Sequence, residues 1–403
     1  MSSLALDLRT RLAPGPWLRL TALAASSATL VAAGSGAVGL GPAHRLLATL
    51  AIPPLVALVI AAWSAHRRLL PASAAALVLF GAAGLSTAPT SHRALASLAC
   101  GAAVVAAAQA FRGRRVATHA WRDYVTLTKP RIMSLLLLTG ACGMIVGQGG
   151  LPPVGRFAMT VVGLALACGG ASALNHLLDR DIDRLMGKRT ERRPVAAGRL
   201  APAQALEFGL ALSAFSFVLL ASTVNLLSAV LALIGNLFYV GIYTRWLKRS
   251  TPQNIVIGGA AGAIPPLVGY AAASGHLGLA AFWLFLIVFL WTPPHFWALA
   301  LLLKEQYAAA SVPMLPVARG ERATLRQIVG YTFLLVAVTL VPVALGTFGT
   351  AYLAAAIVLG AVFVALALRL ARFPSRRNAA LLFHSSLLYL ALLFAAMAID
   401  AIA

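Results

Sequence analysis

The sequence predicts an all-α polytopic membrane protein, and three observations carry this prediction. Of the 403 residues, 61% are hydrophobic and only 10% are charged. The mean hydropathy is +0.88. A soluble domain is nearer half apolar and a quarter charged, so a water-facing globule could not hide this much apolar surface. Apolar runs of about 20 residues also recur along the chain, and that is the length a transmembrane helix needs.

The apolar runs fall into two groups. Four precede residue 112, at about 17–40, 46–64, 69–87 and 94–111, and predict about four transmembrane helices at the N-terminus. Nine more follow and predict a nine-helix bundle. Their expected limits are 132–148, 157–177, 203–221, 223–243, 253–273, 279–302, 328–348, 350–370 and 380–401.

A polar, basic stretch from Phe111 to Arg131 separates the two groups and contains no apolar run. We interpret it as a linker on one side of the membrane. With the boundary near residue 118, the chain divides into a four-helix module with its linker, 1–118, and a nine-helix domain, 119–403.

The charge balance is strongly basic, with 32 Lys and Arg against 10 Asp and Glu. In a soluble protein this excess would suggest nucleic acid as a partner. Here the basic residues after residue 111 collect in alternate loops, and Arg156 is the exception on the opposite side. Such asymmetry is what the positive-inside rule describes, so we expect no nucleic acid partner and place the basic loops in the cytoplasm.

The acidic residues are rare and clustered, since four of the ten lie within thirteen residues of one loop. Asn175, Asp179 and Asp183 are spaced i, i+4 and i+8, which places them on one face of a helix. Asp181 points elsewhere. Amide and carboxylate oxygens at this spacing suit Mg²⁺, which is commonly shared with substrate phosphates. Carboxylates beside a membrane are costly and indicate function.

Arginines follow the acidic cluster, and Arg189 and Arg193 are again four residues apart. Guanidinium groups bind phosphate or carboxylate oxygens through two parallel hydrogen bonds. The alternative is an ordinary basic loop that obeys the positive-inside rule, and we favour that interpretation for Arg180, Arg184 and Lys188. Together, the amide, the two carboxylates and the paired arginines predict a site for a magnesium diphosphate.

The spacing of Asn175, Asp179 and Asp183, at the end of the second helix of a nine-helix bundle, resembles the first motif of the UbiA-type intramembrane prenyltransferases. Longer segments are similar to the protohaem IX farnesyltransferases, or haem O synthases, within that superfamily. They are DYVTLTKPRIMSLLLLT from Asp123, NHLLDRDIDRLMGKRTERRP from Asn175, YTRWLKRSTPQNIVIGGAAGAIPPLVGY from Tyr243 and TPPHFWALALLLKEQYAAASVPMLP from Thr292. The resemblance covers roughly residues 119–403.

The resemblance implies a reaction in which farnesyl diphosphate and water convert haem B to haem O. Carried over, Asn175, Asp179 and Asp183 would hold Mg²⁺ on the diphosphate, and Arg189 and Arg193 would stabilise the charge of the departing diphosphate. A mostly apolar cavity would protect the allylic cation from premature attack by water.

The second polar loop should complete the diphosphate site. Haem O synthases often have two adjacent acids before the tyrosine of this loop, and this chain has Lys304, Glu305 and Gln306. Gln306 is a departure from the family pattern, because an amide oxygen is a weaker ligand without charge. A second strong magnesium site is therefore in doubt, while Lys304 and Glu305 remain candidate substrate contacts, with a plain loop role as the alternative.

His295 lies inside an apolar helix, where a polar ring needs a reason. A histidine at such a position is often a core residue, but the PPHFW segment favours a haem-facing ligand or a proton acceptor. Asn254 and Tyr243 are further candidates for lining the pocket.

The N-terminal module contains His44 and His92, each near the start of a helix that runs from the outer to the inner side. Two neutral histidines at matched depth can ligate one haem. The module resembles one four-helix half of the haem A synthases. The alternative is a membrane anchor with interfacial histidines.

The resemblance further implies the bacterial cytoplasmic membrane, with haem A synthase or terminal oxidase assembly proteins as partners. Two other functions stay open. One is a UbiA-type prenyltransferase with a quinone precursor or another tetrapyrrole as acceptor. The other is a haem carrier without enzymatic activity.

Overall fold

The computed structural model describes residues 21–29, 32, 48, 50–52, 54–59, 70–85, 89–110 and 121–403. Every regular element in these ranges is helical, and they contain no strand. Residues 21–29 and 54–59 are helical, and two longer helices follow them, α1 (Leu70–Leu85) and α2 (Pro89–Ala110). A short helix, Trp121–Thr128, leads into the rest of the chain. The all-α class is therefore confirmed.

Nine helices within the described ranges are long and apolar enough to cross a membrane, as the sequence predicts. They are α3 Pro130–Gln148, α4 Val154–Leu178, α5 Pro202–Thr223, α6 Leu226–Ser250, α7 Asn254–Ser274, α8 Leu279–Leu302, α9 Gly320–Ala344, α10 Thr350–Arg372 and α11 Arg376–Asp400. Connecting loops alternate between the two ends of the bundle. We call the end that carries Lys129 and the loops at 179–201 and 303–319 the site end.

The helix limits depart from the apolar runs where a polar turn continues a helix. Helix α9 begins at Gly320, eight residues before the apolar run expected at 328. Thr324 Oγ1 donates to the carbonyl of Gly320 at 2.9 Å, so the polar first turn is hydrogen-bonded like the rest. Hydropathy marks where a chain is apolar, whereas backbone hydrogen bonds decide where a helix ends.

Helix α6 contains a ten-residue π-helical segment, Phe238–Leu247. Such wide turns are rare and occur frequently at functional sites. The segment carries Tyr239 and Tyr243, whose rings stack with centroids 5.6 Å apart, and Thr244, which is fully buried. No pattern in the sequence predicted this widening, which brings polar side chains toward the site end of α4.

Helices α3 and α7 approach each other closely through small residues. A Cβ atom added at Gly147 would lie 2.6 Å from the carbonyl oxygen of Tyr270, and one added at Gly269 would overlap the carbonyl oxygen of Gly140. Glycine at such positions lets two helix backbones touch inside a membrane. This contact fixes α3, and with it the Lys129 end of the chain, against α7.

Helix α8 is the central helix of the bundle, because 67% of its most apolar 18-residue stretch is buried. This share is larger than in any of the other eight spans. It packs against α7, α9 and α11. Pro293 and Pro294 lie within it, and the helix continues through them to Leu302. His295 and Trp297 follow these prolines and point into the core.

The N-terminal part packs against α5 through α2. Cys100 is buried against Val218, and the absence of a side chain at Gly101 makes room for the ring of Phe215. Helices α1 and α2 correspond to the third and fourth predicted spans, and α1 has 16 residues. The first two predicted spans, at 17–40 and 46–64, are described only in part, and the described residues in them are helical. The predicted domain boundary at 118 lies outside the described residues.

Candidate active site

An amide and two carboxylates lie side by side at the site end of α4. Helix α4 ends at Leu178, but Asp179 donates its backbone N–H to Asn175 at 2.9 Å and Asp183 donates to Asp179 at 2.8 Å. The helical hydrogen bonds thus continue across the joint into the short helix Arg180–Leu185. Asn175, Asp179 and Asp183 are 3%, 1% and 1% exposed, so the structure brings the three predicted residues together in a buried cluster.

Each member of this cluster is held by a cation from another part of the chain. Lys248 Nζ on α6 donates to Asp179 Oδ2 at 2.5 Å. Arg193 Nη1 donates to Asp183 Oδ1 at 2.6 Å. Buried carboxylates need such partners, because an unpaired charge away from water is costly.

Lys129 is the third cation of the cluster, and its Nζ donates to Asn175 Oδ1 at 2.7 Å. The residue lies between the helix Trp121–Thr128 and α3, in the left-handed region at φ 51°. Burial, together with the neighbouring guanidinium of Arg193, lowers the pKa of Lys129 to about 7. We call Lys129, Arg193 and Lys248 the cation set.

One oxygen of each carboxylate has no hydrogen-bond partner among the described residues. These atoms are Asp179 Oδ1 and Asp183 Oδ2, and both are buried. Native structures seldom leave buried oxygens without a partner, so such atoms indicate a missing cation or donor. Two hard carboxylate oxygens on one helix face fit Mg²⁺, which keeps several water ligands and takes others from a substrate phosphate.

The amide of Asn175 is oriented differently from the sequence prediction. Its Oδ1 accepts from Lys129, while Nδ2 donates to Asp179 Oδ2 at 2.8 Å and to Thr244 Oγ1 at 3.1 Å. In this arrangement the amide orients Asp179 and does not offer an oxygen to a metal. No group of three acidic, histidine or cysteine side chains suited to a metal occurs in the described part of the chain.

Asp181 points away from the cluster, as predicted from its position outside the i, i+4, i+8 spacing of Asn175, Asp179 and Asp183. Its side chain is 59% exposed and binds the guanidinium of Arg249 through two contacts of 2.7 Å. The hydrogen bond from Arg249 lowers the pKa of Asp181 well below its usual range. Arg249 also approaches Asp179 Oδ1 to 4.0 Å. This exposed pair forms the rim of the buried site.

Burial raises the pKa of Asp183, although the positive charge of Arg193 opposes that shift. Arg193 comes from the loop after Lys188–Glu191 and lies half-buried. The side chain of Arg189, the other predicted arginine, is outside what the structure describes. Its role beside the diphosphate therefore stays a prediction.

Two tyrosines of α6 and one of the second polar loop are half-buried. Tyr239 and Tyr243 stack on α6, and Tyr243 lies against Gly258 of α7, where a side chain would collide with its ring. Tyr307, in the short helix Lys304–Ala309, is half-buried, and burial raises its pKa to about 12. Tyr243 was a predicted pocket residue; Tyr239 and Tyr307 were not singled out by the sequence.

The predicted contacts from the second polar loop do not reach the carboxylates. Lys304 Nζ donates to Glu321 Oε1 at 3.1 Å, and both side chains are largely exposed. Glu305 and Gln306 are exposed. Their role in substrate binding stays a prediction.

His295 lies in an aromatic stack between α8 and α11. Its ring stacks on Trp291 at 4.2 Å and on Phe383 at 4.7 Å, and the residue is 5% exposed. Its Nδ1 lies 2.6 Å from Ser386 Oγ, which itself donates to the carbonyl of Phe383 at 2.7 Å. Because Ser386 uses its proton there, Nδ1 of His295 is the donor and Nε2 carries the lone pair.

Two further buried polar side chains have unpaired atoms among the described residues. Asn254, a predicted pocket residue, is 0% exposed and neither of its amide atoms has a hydrogen-bond partner. His176, next to Asn175, is 2% exposed, and neither ring nitrogen is paired. The sequence analysis singled out Asn254 but not His176. The signal that could have identified His176 is a histidine directly after Asn175 in an apolar helix.

The two predicted histidines of the N-terminal module cannot be placed. His44 lies outside the described residues. His92 belongs to the first turn of α2, but its side chain is outside them. Haem binding by this pair stays a prediction.

A bundle of nine apolar helices with a buried amide, two carboxylates and three cations at one end defines a multi-pass membrane protein with a polar site at the membrane boundary. The UbiA prenyltransferase family matches residues 136–395, well over half of the chain. The chain therefore belongs to the UbiA prenyltransferase family.

Relatives with a high identity share one name. A protoheme IX farnesyltransferase from Symbiobacterium thermophilum is 56% identical over 281 residues, which cover 69% of this chain and 94% of the relative. One from Gloeobacter violaceus is 55% identical over 285 residues, or 70% of this chain and 93% of the relative. One from Thermus thermophilus is 51% identical over 280 residues, which cover 70% of this chain but only 46% of that longer relative.

Solved structures share the fold at low sequence identity. A digeranylgeranylglyceryl phosphate synthase matches with a TM-score of 0.59 and 20% identity, over 70% of this chain and 98% of that chain. A UbiA homologue from Aeropyrum pernix, solved without ligand, matches with a TM-score of 0.52 and 18% identity, over 67% of this chain and 97% of that chain.

Proposed function

We propose that this protein is a protohaem IX farnesyltransferase, which uses farnesyl diphosphate and water to convert haem B to haem O. The observation that carries the proposal is the 56% identity to a relative of that name across 94% of the relative's length. The buried carboxylates and the cation set supply chemistry that suits a diphosphate substrate.

The diphosphate group would bind at the site end, beside Asp179 and Asp183. Their free oxygens, Oδ1 and Oδ2, fit Mg²⁺, and the ion would neutralise charge on the diphosphate and make it a better leaving group. Lys129, Lys248 and Arg193 bind Asn175, Asp179 and Asp183. Their N–H groups would bind the charge that develops as the diphosphate departs.

The reaction joins two carbons and releases one diphosphate. The bond between C1 of the farnesyl group and the diphosphate oxygen breaks, and its electron pair leaves with the diphosphate. The π electrons of a haem vinyl group then form the new carbon–carbon bond to C1. Water adds to the remaining vinyl carbon and loses a proton, which yields a hydroxyethylfarnesyl side chain. The rings of Tyr239 and Tyr243 help to keep water from the allylic cation until the bond has formed.

His295 is the residue that we assign to the haem. Nε2 is its acceptor nitrogen, because Ser386 fixes the proton on Nδ1. A neutral imidazole of this tautomer can ligate haem iron or accept the proton that water releases. His295 precedes the site end of α8 by about two turns, so a haem beside it would lie in the membrane half nearest the carboxylates.

The site end would face the cytoplasm of a bacterial cell, since the loops at this end carry most of the basic residues. Haem A synthase or oxidase assembly proteins would be the partners that receive the product. Residues 1–118 would form a separate membrane module, and His44 with His92 would bind haem there.

Consumption of the donor with different acceptors tests the proposal. The full chain in detergent is incubated with isotope-labelled farnesyl diphosphate, Mg²⁺ and one acceptor, either haem B or 4-hydroxybenzoate, and released diphosphate is measured. We expect release with haem B alone. Release with the aromatic acid alone would identify another prenyltransferase. Haem binding that persists in Asp179→Ala, without release by the wild-type protein, would identify a haem carrier.

A further inference from the structure

The cation set outnumbers the carboxylates that it neutralises. Asp179 and Asp183 face Lys129, Lys248 and Arg193, so the cluster carries one excess positive charge when all five groups are ionised. The exposed rim pair, Asp181 with Arg249, cancels itself. A site whose only task was to hold a divalent cation would instead carry an excess of carboxylates.

Each carboxylate is already half occupied by a protein cation. Lys248 binds Asp179 at 2.5 Å and Arg193 binds Asp183 at 2.6 Å, which leaves one oxygen of each without a hydrogen bond. Arg249 of the rim approaches that oxygen of Asp179 to 4.0 Å. A divalent cation at those free oxygens would stand within a few ångströms of two protein cations. Coulomb repulsion between like charges at such short range opposes a metal ion that arrives alone.

A diphosphate changes this balance because it brings oxyanions for the cations. Lys248 and Arg193 both have flexible stems, and each binds one oxygen of a carboxylate whose other oxygen has no hydrogen bond. Once their N–H groups turn to diphosphate oxygens, Asp179 and Asp183 can give more of their charge to the metal. Lys129 is restrained by its place between Thr128 and Pro130, so it can serve as a fixed contact.

We propose that the metal ion and the diphosphate bind only together, and that Lys248 and Arg193 move from the carboxylates to the diphosphate as they do so. This inference rests on the proposed function only in taking a diphosphate as the ligand. It assigns Lys248 two roles, as the counter-ion of Asp179 before binding and as a diphosphate contact afterwards.

Equilibrium dialysis with Mn²⁺ tests the binding order without catalysis, since Mn²⁺ accepts the same oxygen ligands as Mg²⁺. The full chain in detergent is dialysed against Mn²⁺ with or without inorganic pyrophosphate, and the excess of manganese on the protein side is measured. We expect an excess only when pyrophosphate is present. An equal excess in both conditions, or none in either, overturns the inference.

Lys248→Met provides the sharper comparison because it removes the charge and retains the length of the side chain. We expect this variant to show an excess of manganese without pyrophosphate, at an Mn²⁺ concentration at which the wild-type protein shows none. The control is Arg199→Met, since Arg199 pairs with Asp123 outside the cluster and is 44% exposed. Unchanged binding of Mn²⁺ alone by Lys248→Met, with its helical circular dichroism retained, contradicts the assignment.

The two proposals fail separately. Joint binding of Mn²⁺ and pyrophosphate without farnesylation of haem would leave this inference in place and overturn the proposed function. Farnesylation of haem by a protein that binds Mn²⁺ alone would overturn this inference and leave the proposed function in place.

Discussion

Lys248 and Asp179 form a buried ion pair that joins α6 to the end of α4. Nζ and Oδ2 are 2.5 Å apart, and the side chains are 11% and 1% exposed. The π-helical segment of α6 ends one residue before Lys248, so the widened turns and the ion pair belong to one structural unit. Substitutions at this contact should therefore affect both stability and activity.

Removing one charge of this pair should destabilise the protein. Asp179→Asn leaves Lys248 buried without its nearest counter-charge, and we expect the free energy of unfolding to fall by about 3 kcal/mol. Adding Lys248→Met to that variant should recover most of the loss. Chemical unfolding followed by circular dichroism checks this, and a double variant no more stable than Asp179→Asn would argue against the pair.

Substitutions at Asp179 and Asp181 should have different effects on activity. We expect Asp179→Asn to lower farnesyl transfer by about a hundredfold or more, because it weakens charge stabilisation at the diphosphate. The matched control is Asp181→Asn, two residues away, whose side chain is exposed on the rim. It should change the rate less than about threefold. Equal losses in both variants would refute the division between cluster and rim.

Lys129 should matter more than its basic neighbour Arg131. Its Nζ is fixed on Asn175, whereas Arg131 is exposed at the start of α3. We expect Lys129→Met to raise the KM for farnesyl diphosphate by about tenfold, the loss of one charge-assisted hydrogen bond. Arg131→Met should leave that KM nearly unchanged. Steady-state kinetics at saturating haem B distinguish the two.

The glycine contact between α3 and α7 should be intolerant of a single methyl group. An added Cβ at Gly269 overlaps the backbone of Gly140, which cannot rotate away as a side chain can. We expect Gly269→Ala to cost about 2 kcal/mol or more. Gly262→Ala is the control, since nothing lies within 4 Å of its added Cβ. Thermal unfolding in detergent should show a lower midpoint for Gly269→Ala alone.

Ser386 should act through His295. Ser386→Ala removes the acceptor that holds the proton on Nδ1, so both tautomers of His295 become available. We expect the transfer rate to fall about tenfold with haem B while the folded fraction is unchanged. Ser386→Thr keeps the hydroxyl group and should restore the rate. A rate equally low in both variants would indicate a packing role for Ser386.

Local regularities explain what the sequence could predict. Spans were found because each crossing needs about 20 apolar residues, and Asn175, Asp179 and Asp183 were found because helical periodicity is local. The contacts of Lys129 and Lys248 could not be found in this way, since they join residues 46 and 69 positions apart. Lysines at the ends of helices also satisfy the positive-inside rule, so their positions in the sequence did not indicate a role in the buried cluster.

The polar loop at 303–319 shows the limit of reasoning by motif. Lys304 and Glu305 occupy the expected sequence positions, yet Lys304 pairs with Glu321. Tyr307, from the same loop, is half-buried, whereas Glu305 and Gln306 are exposed. Which face of a one-turn helix points inward depends on its packing, which the order of residues does not specify.

The mass of the haem recovered after reaction tests the central claim most directly. The full chain in detergent is incubated with haem B, farnesyl diphosphate and Mg²⁺, beside the Asp179→Asn variant, and extracted haem is analysed by mass spectrometry. We predict a new species heavier by a farnesyl group and a hydroxyl group in the wild-type reaction only. Haem B unchanged in both reactions, from protein that is folded and binds haem, would contradict the claim.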